Sequence, residues 1–305
     1  MVELIDSVYT GIKGRSRLSS LARYSVRIIG NAIIPLYFKL FSKKRYSGKS
    51  MGEDKKIIVS FTTFPKRIDS IWKVIECMLR QTVRPDMVML YLSREQFPKE
   101  LDDLPQSLRK YKDNGLVDVV FVDDDLRSHK KYFYSFQLFP EDLIILIDDD
   151  LFYVKTLISG LLEEHAKFPE SIICHRAHTV TRDQYGALNP YAKWRSQKSR
   201  RGPTHAIFHT SGGGTLYRPS LFSEQLYNRK LIKDLCFYAD DVWLNVLAFV
   251  SGITIVKSGY YTNYLPVYIK DDIKLSVVNV QQSLNDNQLE KVLTHFNVGE
   301  ECFID

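Results

Sequence analysis

Leu143-Ile144-Ile145-Leu146-Ile147-Asp148-Asp149-Asp150 is the stretch on which the reading of the fold turns. Five consecutive apolar residues predict a strand buried on both faces, as in the middle of a covered parallel sheet. The three carboxylates that follow cannot share that burial as unpaired charges, so they belong at the strand's C-terminal edge. Open α/β sheets place their ligands at that edge. On an extended chain, Asp148 and Asp150 point to one side and Asp149 to the other. Two like charges on one face suit a shared hard cation, which takes oxygen ligands and keeps water or phosphate in its other positions. An acidic triplet is also a common solvated turn; the buried run before it is what speaks for a site.

Upstream, Ile57-Ile58-Val59-Ser60-Phe61 predicts the first strand of the main domain. It runs into Thr62-Thr63-Phe64-Pro65-Lys66-Arg67, a turn without glycine, where a dinucleotide or P-loop cradle would need a Gly-rich one. Asp69 is placed to cap a helix whose apolar stripe is Ile71, Val74, Ile75, Met78 and Leu79. Strands are expected over 87–92 and 116–122, with a short helix over 105–111 between them. Asp123-Asp124-Asp125-Leu126-Arg127-Ser128-His129-Lys130-Lys131 then sets a second acidic triplet beside a basic cluster, ahead of a helix over 132–138. A helix over 156–167 and a strand over 171–175 continue the series. Strands and helices alternating at this spacing imply βαβ units and a mainly parallel sheet.

The pattern breaks over 178–203, a basic stretch holding Tyr191 and Trp194 and punctuated by Gly186, Asn189-Pro190 and Gly202-Pro203. It reads either as a binding loop or lid or as a solvated surface loop. Gly212-Gly213-Gly214 follows; three glycines let backbone approach a ligand closely, or make a flexible hairpin. Tyr238-Ala239-Asp240-Asp241-Val242-Trp243 opens an apolar helix ending near Gly252. The acidic pair is either its N-cap or a second carboxylate site. His175, His178, His205 and His209 read as core histidines before ligands. Past Lys257 the patterns weaken, with a polar run over 280–288.

At 305 residues the chain holds one large α/β domain or two small ones. The formal charge of +6 is concentrated in residues 1–50, where ten Lys and Arg face Glu3 and Asp6. That extension is basic and amphipathic, with no signal-peptide pattern and no apolar run long enough to span a bilayer. Two readings stay open for it: a segment lying on an anionic membrane surface, or a helical extension packing on the domain. A polar boundary over 47–56 separates it from the main domain, assigned to 51–260; residues 261–305 form a tail that packs on the domain or is partly mobile. The four cysteines lack any Cys-x-x-Cys pair, and Cys77 and Cys174 read as reduced core residues of a cytoplasmic protein. Nucleic-acid binding is disfavoured, because the basic residues show no recognition motif.

Several of these motifs together resemble GT-A-type glycosyltransferases, similar to those of bacterial capsule and lipopolysaccharide clusters. The resemblance rests on residues 59–68, 81–86, 125–131, 147–150, 174–178, 213–217 and 239–243, spanning roughly 55–256. More distantly, the layout is similar to exostosin-like hexosaminyltransferases, in which an Asp triplet is followed much later by an acidic pair opening a helix. The resemblance implies a GT-A fold, Rossmann-like with a mainly parallel sheet, and transfer of a sugar from a nucleotide-sugar donor to a saccharide or lipid-linked acceptor. It implies Mn2+ or Mg2+ held by Asp150 with Asp148, and donor contacts from Arg67, Arg127, Lys130, Lys131, Asp148 and Asp149. Tyr191, Trp194, Gly213 and Gly214 would face the acceptor or donor sugar. Asp241, with Asp240 second, would take the acceptor proton if the reaction inverts, or position the donor if it retains. Competing readings are a sugar nucleotidyltransferase, against which the Gly-free first turn argues, and a non-catalytic assembly protein at the inner face of the membrane.

Overall fold

Strand alternation divides the apolar residues into two layers, one on each face of a central sheet. The computed structural model describes residues 1–14, 16–41, 55–260, 264–269 and 284–304. Two helices lead, α1 (Val2–Gly11) and α2 (Arg17–Leu40). Strands β1 (Ile57–Thr62), β2 (Met87–Ser93), β3 (Asp118–Val122) and β4 (Leu143–Ile147) then alternate with α3 (Trp72–Met78), α4 (Gln106–Asp113) and α5 (Lys130–Leu138). A short β5 (Leu151–Phe152) leads to α6 (Leu157–His165), β6 (Ile172–Cys174) and β7 (Ala177–Thr179). Next come β8 (Arg195–Ser196), β9 (Arg201–Thr204), β10 (Ile207–His209) and β11 (Gly213–Tyr217). The chain closes with α7 (Arg229–Leu235), α8 (Asp240–Val250), β12 (Ile255–Lys257), β13 (Leu265–Pro266) and α9 (Leu284–His295).

The main sheet has 8 strands in the order β3-β2-β1-β4-β11-β6-β12-β9. β3, β2, β1 and β4 run parallel, as do β6 and β12, whereas β11 and β9 run the opposite way. Every residue of β4 is buried, as its unbroken apolar run requires. Val59, Phe61 and Ile145 join Val74, Ile75 and Leu161 in one apolar layer; Ile58, Ile144 and Leu146 join Phe133, Phe136 and Val246 in the other. This is the mixed α/β architecture expected, a large and mainly parallel sheet flanked by helices. From β1 the chain steps outward to β2 and β3, then returns to the far side of β1 to lay down β4. The order therefore reverses between β1 and β4, and the crevice at their C-terminal ends is the topological switch point.

Three local expectations change. Asp69 does not cap α3: it lies in a 3-10 turn, Ile68–Ser70, and Ile71 stands at the N-cap without a side-chain bond. Residues 178–203 are not one irregular loop. They contribute β8 and β9 as well as the strand end of β7, and β10-β7-β8 form a 3-stranded sheet. Pairings of two or three residues are too short to leave an alternating pattern in the sequence. Of the polar run over 280–288, residues from 284 onward belong to α9, which packs on α8 with Trp243 and Phe296 ring centres 5.8 Å apart. The expected boundary over 47–56 lies outside the described residues up to 54.

The N-terminal helices pack on the domain through one face. Val2, Ile34 and Phe38 are buried, and the Phe38 ring sits 6.5 Å from both Trp72 and Phe152. Gly30 lets Leu265 come close: a Cβ there would lie 2.8 Å from the leucine side chain. Asn31 Nδ2 donates to Pro266 O at 2.9 Å and its Oδ1 accepts from Tyr268 N at 2.6 Å. Asp6 accepts from Leu265 N at 2.9 Å, and burial pushes its carboxyl up to about 6. If this packing is part of the cooperative core, Phe38→Ala should cost about 3–5 kcal/mol, the usual loss for a buried aromatic. Urea unfolding of the full chain measures it; an unchanged midpoint would mean that the helices dock without stabilising the domain.

Candidate functional site

The chain turns at once after Ile147, so the three carboxylates do not alternate about a strand. Asp149 points inward and is buried, its Oδ1 accepting from Arg67 Nη1 at 2.6 Å and its Oδ2 from Thr63 Oγ1 at 2.5 Å. The same Arg67 nitrogen lies 3.1 Å from Asp150 Oδ2, and the guanidinium covers the Phe64 ring at 5.2 Å. Asp148 leans away, its Oδ1 accepting from Lys131 Nζ at 2.9 Å. Asp149 and Asp150 thus share a cation and Asp148 stands apart from them, where alternation along a strand would group Asp148 with Asp150. Burial pushes the Asp149 carboxyl up, and Arg67 and the Thr63 hydroxyl oppose that.

Lys131 lies in the first turn of α5, where a positive charge runs against the helix dipole. Its carboxylate neighbours explain the placement. The buried ammonium lies 2.9 Å from Asp148 Oδ1 and 3.0 Å from Asp240 Oδ2. Burial alone would lower its pKa, but Asp148, Asp240 and Asp241 together hold it above the ordinary lysine value. Ser60 Oγ, on β1, donates to Lys131 O at 2.5 Å and pins the start of α5 to the sheet.

Asp240 and Asp241 are the first residues of α8, yet neither caps it; the N-cap is Ala239, with no side-chain bond. Their carboxylates turn instead to Ser211. Asp241 Oδ1 accepts from Ser211 N at 2.8 Å and from its hydroxyl at 2.6 Å, and Asp240 Oδ2 lies 3.0 Å from the same hydroxyl. One turn on, Asn245 Nδ2 donates to Asp241 O at 2.7 Å and to His209 O at 2.9 Å, tying α8 to β10. Burial works against charge on Asp240, but Lys131 outweighs it and brings the carboxyl down to about 2. Asp241 goes the other way. Burial and the adjacent Asp240 charge push it up to about 7, while its residue keeps a partly open edge.

The glycine run is used for packing. A Cβ on Gly212 would fall 1.8 Å from Asp148 Oδ2, so only glycine lets the chain pass that carboxylate. Tyr153 ties the two together, its hydroxyl donating to Gly212 O at 2.6 Å and accepting from Asp148 N at 2.7 Å. Gly213 and Gly214 are buried in β11, Gly214 at φ +83, with Tyr264 donating to Gly213 O.

The remaining expected residues lie around this centre. Lys130 is buried in an ion pair with Asp125, at the end of β3, and Asp125 also accepts from Gln96 at 2.8 Å. Arg127 stacks over Phe237 at 5.1 Å and Tyr238 at 4.7 Å, the residues that lead into Asp240. Tyr191 is packed against His178, Trp194 and Phe208; burial, then the nearby Asp241 charge, raise its hydroxyl. Trp194 is buried, its indole N–H donating to Asn189 O at 2.8 Å. His175 is a core residue, bonded to Ser258 Oγ at 2.7 Å and Leu157 O at 2.9 Å, with burial pushing it down to about 4. Ser211 and Asn245 belong to the site without having been singled out from sequence, and Thr63 was read only as part of a turn. Only their nearness to the Gly-free turn, the glycine run and the acidic pair marks them.

Five carboxylates meet here, and two cationic side chains, Arg67 and Lys131, bond to them. Among the described residues no three His, Cys, Asp or Glu side chains converge to cage a metal ion. The donor set fits a looser arrangement. Asp148 and Asp150 keep 43% and 32% of their side chains exposed, and a hard cation on one or two carboxylates completes its shell from phosphates and water.

No protein-family profile and no curated protein matches the chain. Solved structures do. A 4-diphosphocytidyl-2C-methyl-D-erythritol synthase superposes with 11% identity and a TM-score of 0.43, over 76% of this chain and 100% of that one. A CMP:2-keto-3-deoxy-manno-octonic acid synthetase complexed with CTP gives 13%, 0.43, 76% and 99%. Glucosyl-3-phosphoglycerate synthase from Mycobacterium tuberculosis, in complex with Mn2+, UDP and glucosyl-3-phosphoglycerate, gives 11%, 0.46, 81% and 82%. What those proteins bind does not carry over to this chain at such identities.

The buried Arg67–Asp149 pair should behave as a unit. Arg67→Met leaves a buried carboxylate with one hydroxyl and should cost about 3–5 kcal/mol. Adding Asp149→Asn removes the stranded charge and should restore most of it. Denaturant unfolding of the two variants decides: equal losses would mean that the pair is not what holds the β1 and β4 loops together.

Proposed function

We propose that the protein is a metal-assisted glycosyltransferase acting on a nucleotide-sugar donor. The observation that carries this reading is the pairing of two acidic groups of opposite character across Lys131 at the switch point. One, Asp148 with Asp150, is partly exposed just past the end of β4. The other holds Asp241, a carboxyl near neutral pKa and suited to moving a proton. The Asp-x-Asp spacing, the Gly-free turn after β1 and the acidic pair opening α8 support the same reading, as does the GT-A resemblance of the sequence.

In this scheme the acceptor hydroxyl oxygen attacks the anomeric carbon of the donor. The bond from that carbon to the diphosphate oxygen breaks, the electron pair stays on the phosphate, and the acceptor's proton passes to Asp241. Configuration inverts. A divalent cation bound by Asp150 and Asp148, when present, would neutralise charge that gathers on the leaving group. Ser211 and Asn245 fix the base, Lys131 keeps Asp240 ionised, and Arg127 adds positive charge beyond the neighbouring strand end, where a nucleoside diphosphate would lie, whereas the Lys130 charge is taken up by Asp125. The acceptor is a saccharide or a lipid-linked oligosaccharide, such as those extended in bacterial surface polysaccharide synthesis.

A panel of nucleotide sugars with Mn2+, assayed for release of nucleoside diphosphate, tests the reaction class; release of pyrophosphate from a nucleoside triphosphate and a sugar phosphate would replace it with nucleotidyl transfer. Within that assay Asp241→Asn should lose about 10²–10⁴-fold in rate, the usual contribution of a general base. Donor affinity should stay near the parent's. Because the base works ionised, the rate should rise with pH through about 7 and then level off. Asp240→Asn removes the like charge that helps raise Asp241, so the rising limb of its residual activity should move to lower pH. A limb that stays in place would take Asp241 out of the proton-transfer role.

A further inference from the structure

The outward face of α2 carries a run of exposed aliphatic side chains. Leu18, Leu21, Ile28, Ile29, Leu36 and Leu40 are each at least half exposed along a helix of 24 residues, about 36 Å in length. Leu4 and Val8 of α1 are exposed as well, and Tyr24, 60% exposed, offers the apolar body and polar tip that suit a water–lipid boundary. The opposite stripe, Gly30, Ile34 and Phe38, is already spent on the domain. Among the described residues no helix is long and apolar enough to cross a membrane.

We infer that this face docks the protein on the surface of an anionic lipid bilayer. Charge decides in favour of lipid over a second copy of the chain. Lys13, Arg17 and Lys39 are exposed at the ends of the apolar stripe. The only carboxylates of residues 1–41 are Glu3 and Asp6. Asp6 is buried on Leu265 N, and Glu3 is taken by Lys155 N at 2.9 Å and the N-terminal ammonium at 3.5 Å. Two such faces brought together would set cation against cation with nothing to pair them, whereas anionic headgroups supply the missing sign. The docked helix is also braced to the acidic site. Asn31 bonds to Pro266 O and Tyr268 N, and between these residues Val267 N donates to Asp150 O at 2.7 Å. Lipid contact on α2 and the turn carrying the triplet therefore share one short segment.

The inference stands apart from the proposed reaction, since it needs neither donor nor turnover. The test is co-sedimentation of the full chain with phosphatidylcholine vesicles, with and without phosphatidylglycerol. Leu21→Glu, Ile28→Glu and Leu36→Glu are combined as the variant, because all three are exposed and their change should leave the melting temperature alone. The parent should pellet with the phosphatidylglycerol vesicles, less so at high salt, and the triple variant should partition about tenfold more weakly or worse. Asp241→Asn should pellet like the parent, which separates failure here from failure of the catalytic assignment. A parent that stays in solution with both vesicle types overturns the inference. So does a parent that forms a dimer by light scattering, lost in the triple variant, while ignoring lipid; the face would then join copies of the chain.

Discussion

A single buried ammonium, Lys131 Nζ, lies between Asp148 and Asp240, and the arrangement of the site depends on it. Without that charge the end of β4 and the start of α8 would bring like charges together in a poorly solvated crevice, and one side would have to protonate or withdraw. With it, Asp240 stays ionised at about 2, and its charge together with burial leaves Asp241 near 7. The cation thus holds Asp240 down, while burial and the Asp240 charge raise its neighbour Asp241. That separation allows one carboxyl to serve as a fixed charge and its neighbour as a proton carrier.

The backbone around this point is shaped to the same end. Strand order reverses between β1 and β4, opening the crevice, and the buried Arg67–Asp149 pair closes its floor. Gly212 lets β11 pass Asp148 closely enough for Ser211 to reach both aspartates of α8. Ser60 fixes Lys131 from below and Asn245 fixes Asp241 from behind. Each of these is a short-range contact made by an element whose own placement follows from ordinary core burial.

Much of this was legible in the sequence. The five apolar residues before Asp148 announced a covered strand, and the alternation of strands and helices announced a mainly parallel sheet. The grouping of the triplet was not legible, because strand periodicity stops at Ile147 and a turn obeys its partners instead. Asp240 and Asp241 could be read equally as caps or as a site, since both uses put aspartate at a helix start; only the position of Ser211, thirty residues away in the chain, separates them. Residues 178–203 looked irregular because pairings of two residues leave no period. Of the N-terminal segment, one face of α2 is packed on Trp72 and Phe152, and the other is turned to solvent with its leucines and isoleucines.

The most direct test of the electrostatic arrangement is the titration of Asp241, followed by carboxyl carbon NMR in the parent and in Lys131→Met. In the parent the group should titrate near 7. Loss of the ammonium removes the attraction that opposes burial and the Asp240 charge, so the two aspartates should titrate as a coupled pair, with the higher step above the parent's value. If Asp241 titrates in the ordinary carboxylate range in the parent, or if Lys131→Met leaves both aspartates where they were, Lys131 is not the charge that sets them apart.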